Sequence, residues 1–481
     1  MSSAKIDGQD SGDTSWIMVS TTLVMFMTPG LAFFYGGFVS EKAIVNTMML
    51  SFGTMGVVSL LWALVGYSLA FAPSISSGAV GDLSLALLDF PDQLRVGTST
   101  NEHAYMMYQC MFAVITPAVI SGAVVTRMRY NWFMAFVGLW SIFVYCPLAH
   151  WVWAPSGWLY QLGLLDFAGG TVVESASGVS AFVLAFWLGA SPKRHTVNPH
   201  NVPYILLGAA ILWFGWFGFN AGGGLTSNAY GARLMANTHM AASSAMMTWG
   251  VLEWAFPLNA PFFSGRPTSI GAACGAVVGL VAITPACGYV TIMWGIFIAF
   301  FAAICVFFVQ RNIKVLGVDD RLDVFAFHGV AGMVGTALTG LFATTSADSP
   351  VDGAFYGSRG KQFAVQLAGI STTILLCTVG TTVIFHALAL LARALGQDMR
   401  ISHTVEDIDA SQHGESAYYF EENSSRGIAS TAVGLLTSAA PEPSALPSAT
   451  AGFSGAGEHS HGKHSHDAHS HAHGKHVTIS S

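Results

Sequence analysis

The sequence predicts an all-α membrane protein of eleven transmembrane helices, an inverted five-plus-five helix repeat around a central pore plus a long eleventh helix. Three observations predict it. Of 481 residues, 53% are hydrophobic and only 9% charged, whereas ordinary soluble domains carry about 25% charged residues. Apolar runs of about 20 residues, the length that crosses a bilayer, recur along the chain. Two of those runs, one in each half, carry a single ionisable residue at comparable places. A mean hydropathy of +0.54 and 52 glycines fit helices packed closely in lipid.

The spans fall at roughly 15–38, 46–72, 104–126, 132–151, 167–190, 202–223, 239–258, 268–287, 289–309, 323–344 and 362–394. The eleventh is the longest and is expected to tilt. Basic residues set the orientation. With the N-terminus outside, the inner loops hold nine: Lys42, Arg127, Arg129, Lys193, Arg194, Arg266, Arg311, Lys314 and Arg321. The outer segments hold five: Lys5, Arg95, Arg233, Arg359 and Lys361. The bias favours an outer N-terminus, and an odd number of spans then places the C-terminus in the cytosol.

Residues before Trp16 are polar and slightly acidic, unlike a cleavable signal peptide, so the first span is expected to act as the membrane signal. Three regions follow: an extracellular N-terminal segment at 1–14, a transmembrane domain at 15–398 and a cytosolic tail at 399–481. The tail ends in HSHGKHSHDAHSHAHGKH, with eight histidines between His459 and His476. Its composition cannot bury a core. Weak divalent-metal binding and a plain solvated tail are both open for it.

The net charge of −7 is small for this length and gives no hint of nucleic-acid binding. The six cysteines (Cys110, Cys146, Cys274, Cys287, Cys305, Cys377) lie in apolar runs and show neither a disulfide nor a metal-site spacing. They read as small buried hydrophobes. No cofactor or resident metal is expected.

The ionisable residues inside the spans carry the chemistry. Span 5 opens at Asp166, in DFAGGTVVESASG, and carries Glu174 eight residues later. Span 10 opens at Asp323 and carries His328 five residues later. An ionised group in hydrocarbon costs at least ~2.5–3.5 kcal/mol, so each is a functional candidate by default. The alternative for either alone is that it satisfies a neighbour's backbone. Each lies five spans into its half, and two five-span halves must have opposite topology. Such repeats place a substrate site between them near the midplane. An apolar pore disfavours charge on both groups, so together they can pass a proton and bind a small polar molecule. Two ligands without a third make a poor metal site.

Aromatic residues come next. AHWVWAPSGW holds Trp151, Trp153 and Trp158 at the outer end of span 4. They suit an interfacial belt, and a Trp face also attracts a cation by ~2 kcal/mol when desolvated. By residue type alone, Phe112 in YQCMFAVITP and Phe219 in WFGWFGFNAGG read as core. Pro117 and Thr284-Pro285 are expected to kink spans 3 and 8 and free carbonyls to line a cavity.

Five motifs in order resemble the signatures of the ammonium transporter (Amt/Mep) family: FYGGFVSEKAIVNTMM (34–49), DFAGGTVVES (166–175), WFGWFGFNAGG (213–223), GLVAITPACGYV (279–290) and DVFAFHGVAGMVG (323–335). The resemblance runs from about Trp16 to Phe420. It implies an eleven-helix protomer with one pore, assembled as a homotrimer in the plasma membrane and serving nitrogen uptake. The transported species are NH4+ and NH3, and the surroundings are the lipid bilayer. Trp153 resembles the family's outer cation-recruiting tryptophan, with Tyr108 nearby and Asp166 similar to a buried aspartate beside that site. Phe112 and Phe219 resemble two stacked gating phenylalanines. His328 resembles the second pore histidine, and Asn220 and Asp323 are supporting residues. EDIDASQHGESAYYF (406–420) resembles a cytosolic regulatory segment, with Asp409, Ser411, His413, Gly414 and Glu415 its candidate residues for a regulatory partner or kinase.

The sequence departs from the family pattern twice. Glu174 stands where most members have the first pore histidine, which resembles a subgroup of fungal transporters. Gly223 stands where the family usually has a serine after GFNAG, which removes one hydroxyl acceptor. The resemblance implies a transporter that recruits NH4+, deprotonates it and conducts NH3 with a relayed proton. Three other readings are open: an ammonium sensor or transceptor acting through the tail, an electroneutral Rh-like NH3/CO2 channel, and an intramembrane hydrolase. The FYGG and GFNAG signatures argue against the second. Against the third, and against enzymes generally, no GxSxG or HExxH motif lies near Glu174 or His328.

Overall fold

The computed structural model describes residues 6–190, 199–257, 265–402 and 404–419. Lys5, Lys193, Arg194, Phe420 and the histidine-rich segment lie outside the described residues, as does the side chain of Lys314. Eleven long helices follow one another: α1 Ser11–Phe38, α2 Ile44–Phe71, α3 Glu102–Val124, α4 Tyr130–Leu162, α5 Gly170–Leu188 and α6 Val202–Gly222, then α7 Ala229–Ala255, α8 Ser269–Ile283, α9 Ile292–Asn312, α10 Phe325–Phe342 and α11 Lys361–Ala394. Among the described residues, nine of these are long and apolar enough to cross a membrane. The other two, α7 and α8, occupy the seventh and eighth expected positions. The chain is therefore a helical membrane protein. A two-residue hairpin, β1 Ser74–Ile75 with β2 Val80–Gly81, sits between α2 and α3. All these elements belong to one unit, Met1–Tyr418.

Two boundaries differ from expectation for a physical reason. α7 starts at Ala229 rather than near 239, because Arg233, Asn237 and His239 hide its first turns from an apolar count. α8 stops at Ile283. Pro285 offers no N–H and restricts the residue before it, so the helix ends there instead of kinking. The freed carbonyls are taken up by backbone N–H groups. Thr284 O accepts from Ala168 N at 3.2 Å and Pro285 O from Phe167 N at 3.1 Å. They tie α8 to the loop that enters α5.

Helix starts must satisfy their free N–H groups, most of all in lipid. Asp10, Asn101, Asn201, Asn228 and Thr268 do so by side-chain capping of α1, α3, α6, α7 and α8. Each such cap contributes about 1 kcal/mol.

The packing brings equivalent helices of the two halves together: α1 lies along α6, and α5 crosses α10. Two opposed five-helix halves give this pairing. α3 is almost wholly enclosed, whereas α2 and α11 keep broad apolar faces outward. At 34 residues, α11 is the longest helix. All six cysteines are free thiols.

The α5–α10 crossing depends on glycine. A Cβ on Gly178 would sit 2.1 Å from Gly329 N, and one on Gly332 would sit 2.7 Å from the Glu174 Cβ. The two backbones touch because neither side projects a side chain, the usual device for close helix approach in membranes. Gly178→Ala is expected to force α5 and α10 apart and to destabilise the protein by about 1–3 kcal/mol, the range for overpacking. Thermal unfolding in detergent measures this, and an unchanged midpoint contradicts so close a crossing.

Candidate functional site

The loop before α5 is organised by Asp166. Its Oδ1 accepts from Gly169 N at 2.9 Å and Gly170 N at 2.6 Å. Its Oδ2 accepts from Thr171 N at 2.8 Å, from Val172 N at 3.3 Å and from the Thr171 hydroxyl. Gly169 has φ +118°, open to glycine and strained for other residues. Val173 N and Glu174 N both donate to Gly169 O, at 2.8 and 2.9 Å. The first turn of α5, Gly170–Ser175, is therefore a wide π turn. Such turns commonly mark functional positions. α10 begins the same way, with a π turn at Phe325–Val330. Here Asp320 Oδ2 accepts from Phe325 N at 2.8 Å.

These two wide turns meet. Glu174 Oε2 lies 2.7 Å from His328 Nδ1, with the residues 1% and 5% exposed. One proton occupies that contact, on the carboxyl or on the ring. No other described residue hydrogen-bonds the imidazole, so Nε2 is left uncommitted. The predicted pair is thus in direct contact, although the residues are 154 positions apart.

Two cavities flank an aromatic partition. One, a narrow space of about 10 Å3, holds Glu174 and His328 among apolar side chains including Leu31, Val119, Leu212 and Phe219. The other, of about 120 Å3, is lined by Tyr105, Tyr108, Gln109, Phe112, Trp153, Phe167 and Gly223, among others. Phe219 faces the first and Phe112 the second. Their rings are 4.3 Å apart at 31°, and both are buried. Trp153 stands edge-on to Phe112 at 5.9 Å. Its Nε1 donates to Asp166 O at 3.0 Å, so the loop that shapes α5 also orients this indole.

The Phe112 and Phe219 rings thus separate the two cavities, and the carboxyl–imidazole pair lies in the apolar one. Comparison with known proteins identifies the family. The model of the Ammonium Transporter Family matches residues 15–418. The chain belongs to the ammonium transporter family. It is 43% identical over 412 residues to the ammonium transporter of Aquifex aeolicus, covering 85% of this chain and 94% of that one. Among solved structures, Saccharomyces cerevisiae Mep2 matches with a TM-score of 0.76 at 32% identity, covering 86% of this chain and 93% of the other. A structure described as a sensor Amt protein matches with a TM-score of 0.74 at 26% identity, covering 85% and 98%. Ammonium transport is the activity for which the family and its Aquifex aeolicus member are named.

Within this ammonium transporter, several candidates sit differently from a simple pore-lining role. Tyr108 lines the larger cavity, but its hydroxyl donates to Gly218 O at 3.0 Å and Phe219 O at 2.7 Å. It holds the end of α6 at Gly218 and Phe219. Asp166 spends both oxygens on backbone and lines neither cavity. Asn220 lies outside both as well and donates from Nδ2 to Thr238 Oγ1 at 3.1 Å. Asp323 has φ +54°. Its carbonyl accepts from Phe327 N at 3.0 Å, and its carboxylate accepts from Gln310 Nε2 at 2.9 Å. The side-chain counterpart of Asp166 is therefore Asp320, not Asp323. Sequence reading also missed Gln366 of α11, which binds Leu165 N at 2.9 Å and Leu165 O at 2.6 Å, and donates to Thr336 O at 3.1 Å. It locks the entry loop of α5 onto α10.

The segment after α11 docks at the other end of the molecule. A short helix, α12 Ile408–His413, lies against the start of α2. Asp409 is fully buried, and its two oxygens accept from Asn46 N at 2.7 Å and Val45 N at 3.0 Å. Ile408 N and Asp409 N both donate to Lys42 O at 3.0 Å. His413 Nε2 lies 3.1 Å from Asn46 Oδ1, and its ring packs edge-on to Tyr130 at 5.0 Å. Gly414 ends the helix at φ +71°. Ser411 and Glu415 are exposed.

Proposed function

We propose that this protein conducts ammonium as NH3 plus a relayed proton, with net movement of one charge. The Glu174–His328 contact, buried just beyond the Phe112–Phe219 partition, carries this reading. Ammonium collects in the larger cavity against the face of Trp153, where cation–π attraction favours a small cation. Passing the phenylalanine stack requires shedding water, which is costly for an ion and cheap for neutral ammonia. Deprotonation at the partition removes that cost. Ammonia then crosses the apolar cavity, and the proton passes along the carboxyl and the imidazole. Potassium has no proton to give up, so its exclusion is chemical rather than a matter of size. The carboxyl in place of a first imidazole makes this a Glu-His pore variant.

In this reading the Trp153 cavity faces outward in a plasma-membrane homotrimer, with the N-terminus outside and residues 399–481 in the cytosol. The test is ammonium-evoked current in proteoliposomes holding the purified protein. Current above that of empty vesicles supports conduction, and ammonia flux without current points to an electroneutral channel instead.

A second reading, control of the pore by the tail, is favoured by the Asp409 contact. That carboxylate caps the first turn of α2, where negative charge is stabilised by the helix dipole. Asp409→Ala is expected to weaken docking by about 1–2 kcal/mol. Hydrogen exchange of the Val45 and Asn46 amides should then quicken severalfold, and unchanged exchange counts against the contact.

Docking should also depend on pH. Burial holds His413 below its usual range, so the docked state favours neutral imidazole. Asp409, Glu415 and Tyr130 face it. The His413 contribution is therefore present above pH about 6.5 and lost as pH falls below it. Burial raises the Asp409 carboxyl, which acts in the opposite sense only nearer the carboxylate range. The protection of Val45 and Asn46, meaning the slowing of their exchange relative to an unprotected amide at the same pH, should accordingly fall from pH 7.5 to 5.5.

A further inference from the structure

How closely Glu174 meets His328 depends on how far α5 and α10 stand apart. On the side of the crossing away from Gly178 and Gly329, an amide of α11 fastens the two together. Gln366 is fully buried and uses its whole hydrogen-bonding capacity. Its Oε1 accepts from Leu165 N at 2.9 Å and from Gln362 Nε2 at 3.2 Å. Its Nε2 donates to Leu165 O at 2.6 Å and to Thr336 O at 3.1 Å. Gln362, one turn earlier, also donates to Gly163 O at 2.9 Å. An amide in an apolar interior is costly unless its polar atoms are paired, and a fully paired network specifies one arrangement.

The bridge closes a ring of structure around the pair. Leu165 adjoins Asp166, whose carboxylate holds the first turn of α5, and Glu174 lies eight residues beyond Asp166. Thr336 lies eight residues beyond His328 in α10. Between bridge and pair, Gly332 lets α10 touch α5, since a Cβ there would stand 2.7 Å from Glu174 Cβ and 2.8 Å from Gly170 O. The α8 carbonyls hold Phe167 and Ala168 in the same loop, whereas Gln366 joins that loop to α10. We propose that Gln366 is a positioning residue for proton transfer, holding α10 against α5 at the separation that keeps Glu174 and His328 in contact. The inference rests on the proton-relay reading above. Without the bridge the helices part at Thr336 and the Glu174–His328 contact lengthens. A misplacement of about 1 Å in a reacting pair can cost about 10²-fold in rate. Gln366 lines neither cavity described above, so its loss should appear in maximal rate more than in apparent affinity.

The test is the concentration dependence of ammonium-evoked current in proteoliposomes, normalised to folded protein. It compares the full-length protein with Gln366→Met, Gln362→Met, Glu174→Gln and Glu174→Gln/Gln366→Met. Methionine matches the length of glutamine and makes none of its hydrogen bonds. Gln366→Met should lower the saturating current about tenfold and change the half-saturating ammonium concentration less than about twofold. Gln362→Met leaves the Leu165–Thr336 bridge in place and should keep most of the current. With Glu174→Gln already present, Gln366→Met should cost little more, because both act on one step. Full saturating current in Gln366→Met, even with a lowered unfolding temperature, overturns the proposal and leaves a purely structural amide. So does a change confined to the half-saturating concentration. Losses that multiply in the double variant overturn it as well, because Gln366 then acts outside the relay. No current from the unaltered protein, or full current in Glu174→Gln, overturns the relay reading itself. If Gln366→Met does not fold, Gln366→Glu takes its place. Its carboxyl can donate to at most one of the two carbonyls, and full saturating current from it is equally fatal to the proposal.

Discussion

Glu174→Gln is expected to cut the saturating ammonium current at least about tenfold, because glutamine keeps the shape of the side chain but cannot take up or release a proton. Positioned proton-transfer groups typically contribute about 10²–10⁴-fold to a rate, and bulk water is scarce in so apolar a cavity. The amide can still donate to His328 Nδ1, so the local geometry should survive. Glu174→His restores a titrating group and should keep current, with an altered pH dependence. Undiminished current in Glu174→Gln contradicts the relay directly. Current lost equally in glutamine and histidine variants points to packing at the α5–α10 crossing instead.

The other large effect is expected at Asp166, on folding. Its carboxylate accepts from four backbone N–H groups and one hydroxyl. Asp166→Ala strands those donors in an apolar interior, at about 1–3 kcal/mol for each one left unsatisfied. Partial relaxation brings the total to about 3–5 kcal/mol. Asp166→Asn should fare only slightly better, since an amide NH2 would face backbone N–H groups. Thermal unfolding in detergent should show a lowered midpoint and a reduced yield of folded protein. A midpoint equal to that of the unaltered protein means that the loop before α5 is held mainly by Gln366 and the α8 carbonyls.

Most of the fold was legible because lipid imposes one rule, a long apolar run for each crossing. The run fails where a helix is polar on one side, as α7 is over its first turns. The Glu174–His328 pair was legible because a lone ionisable residue is conspicuous in hydrocarbon. Its partner register was misread at Asp323. Asp166 and Glu174 are eight residues apart, and so are Asp320 and His328. That equal spacing marks Asp320 as the matching cap, and the structure bears it out in the contact with Phe325 N. Gln366 left no comparable trace. A single amide in an apolar helix looks the same whether it locks a loop or faces a ligand, and only three-dimensional placement separates the two. Thr284-Pro285 is expected from sequence to kink span 8 and ends the helix instead, and what the freed carbonyls bind depends on a loop more than a hundred residues earlier.

The central claim is that ammonium passes because it can lose its proton between the phenylalanine stack and the Glu174–His328 pair. Current through the purified, reconstituted protein under matched gradients of ammonium and potassium tests it most directly. Substantial current with ammonium and none above background with potassium is the predicted result. Potassium currents equal to ammonium currents would contradict the account.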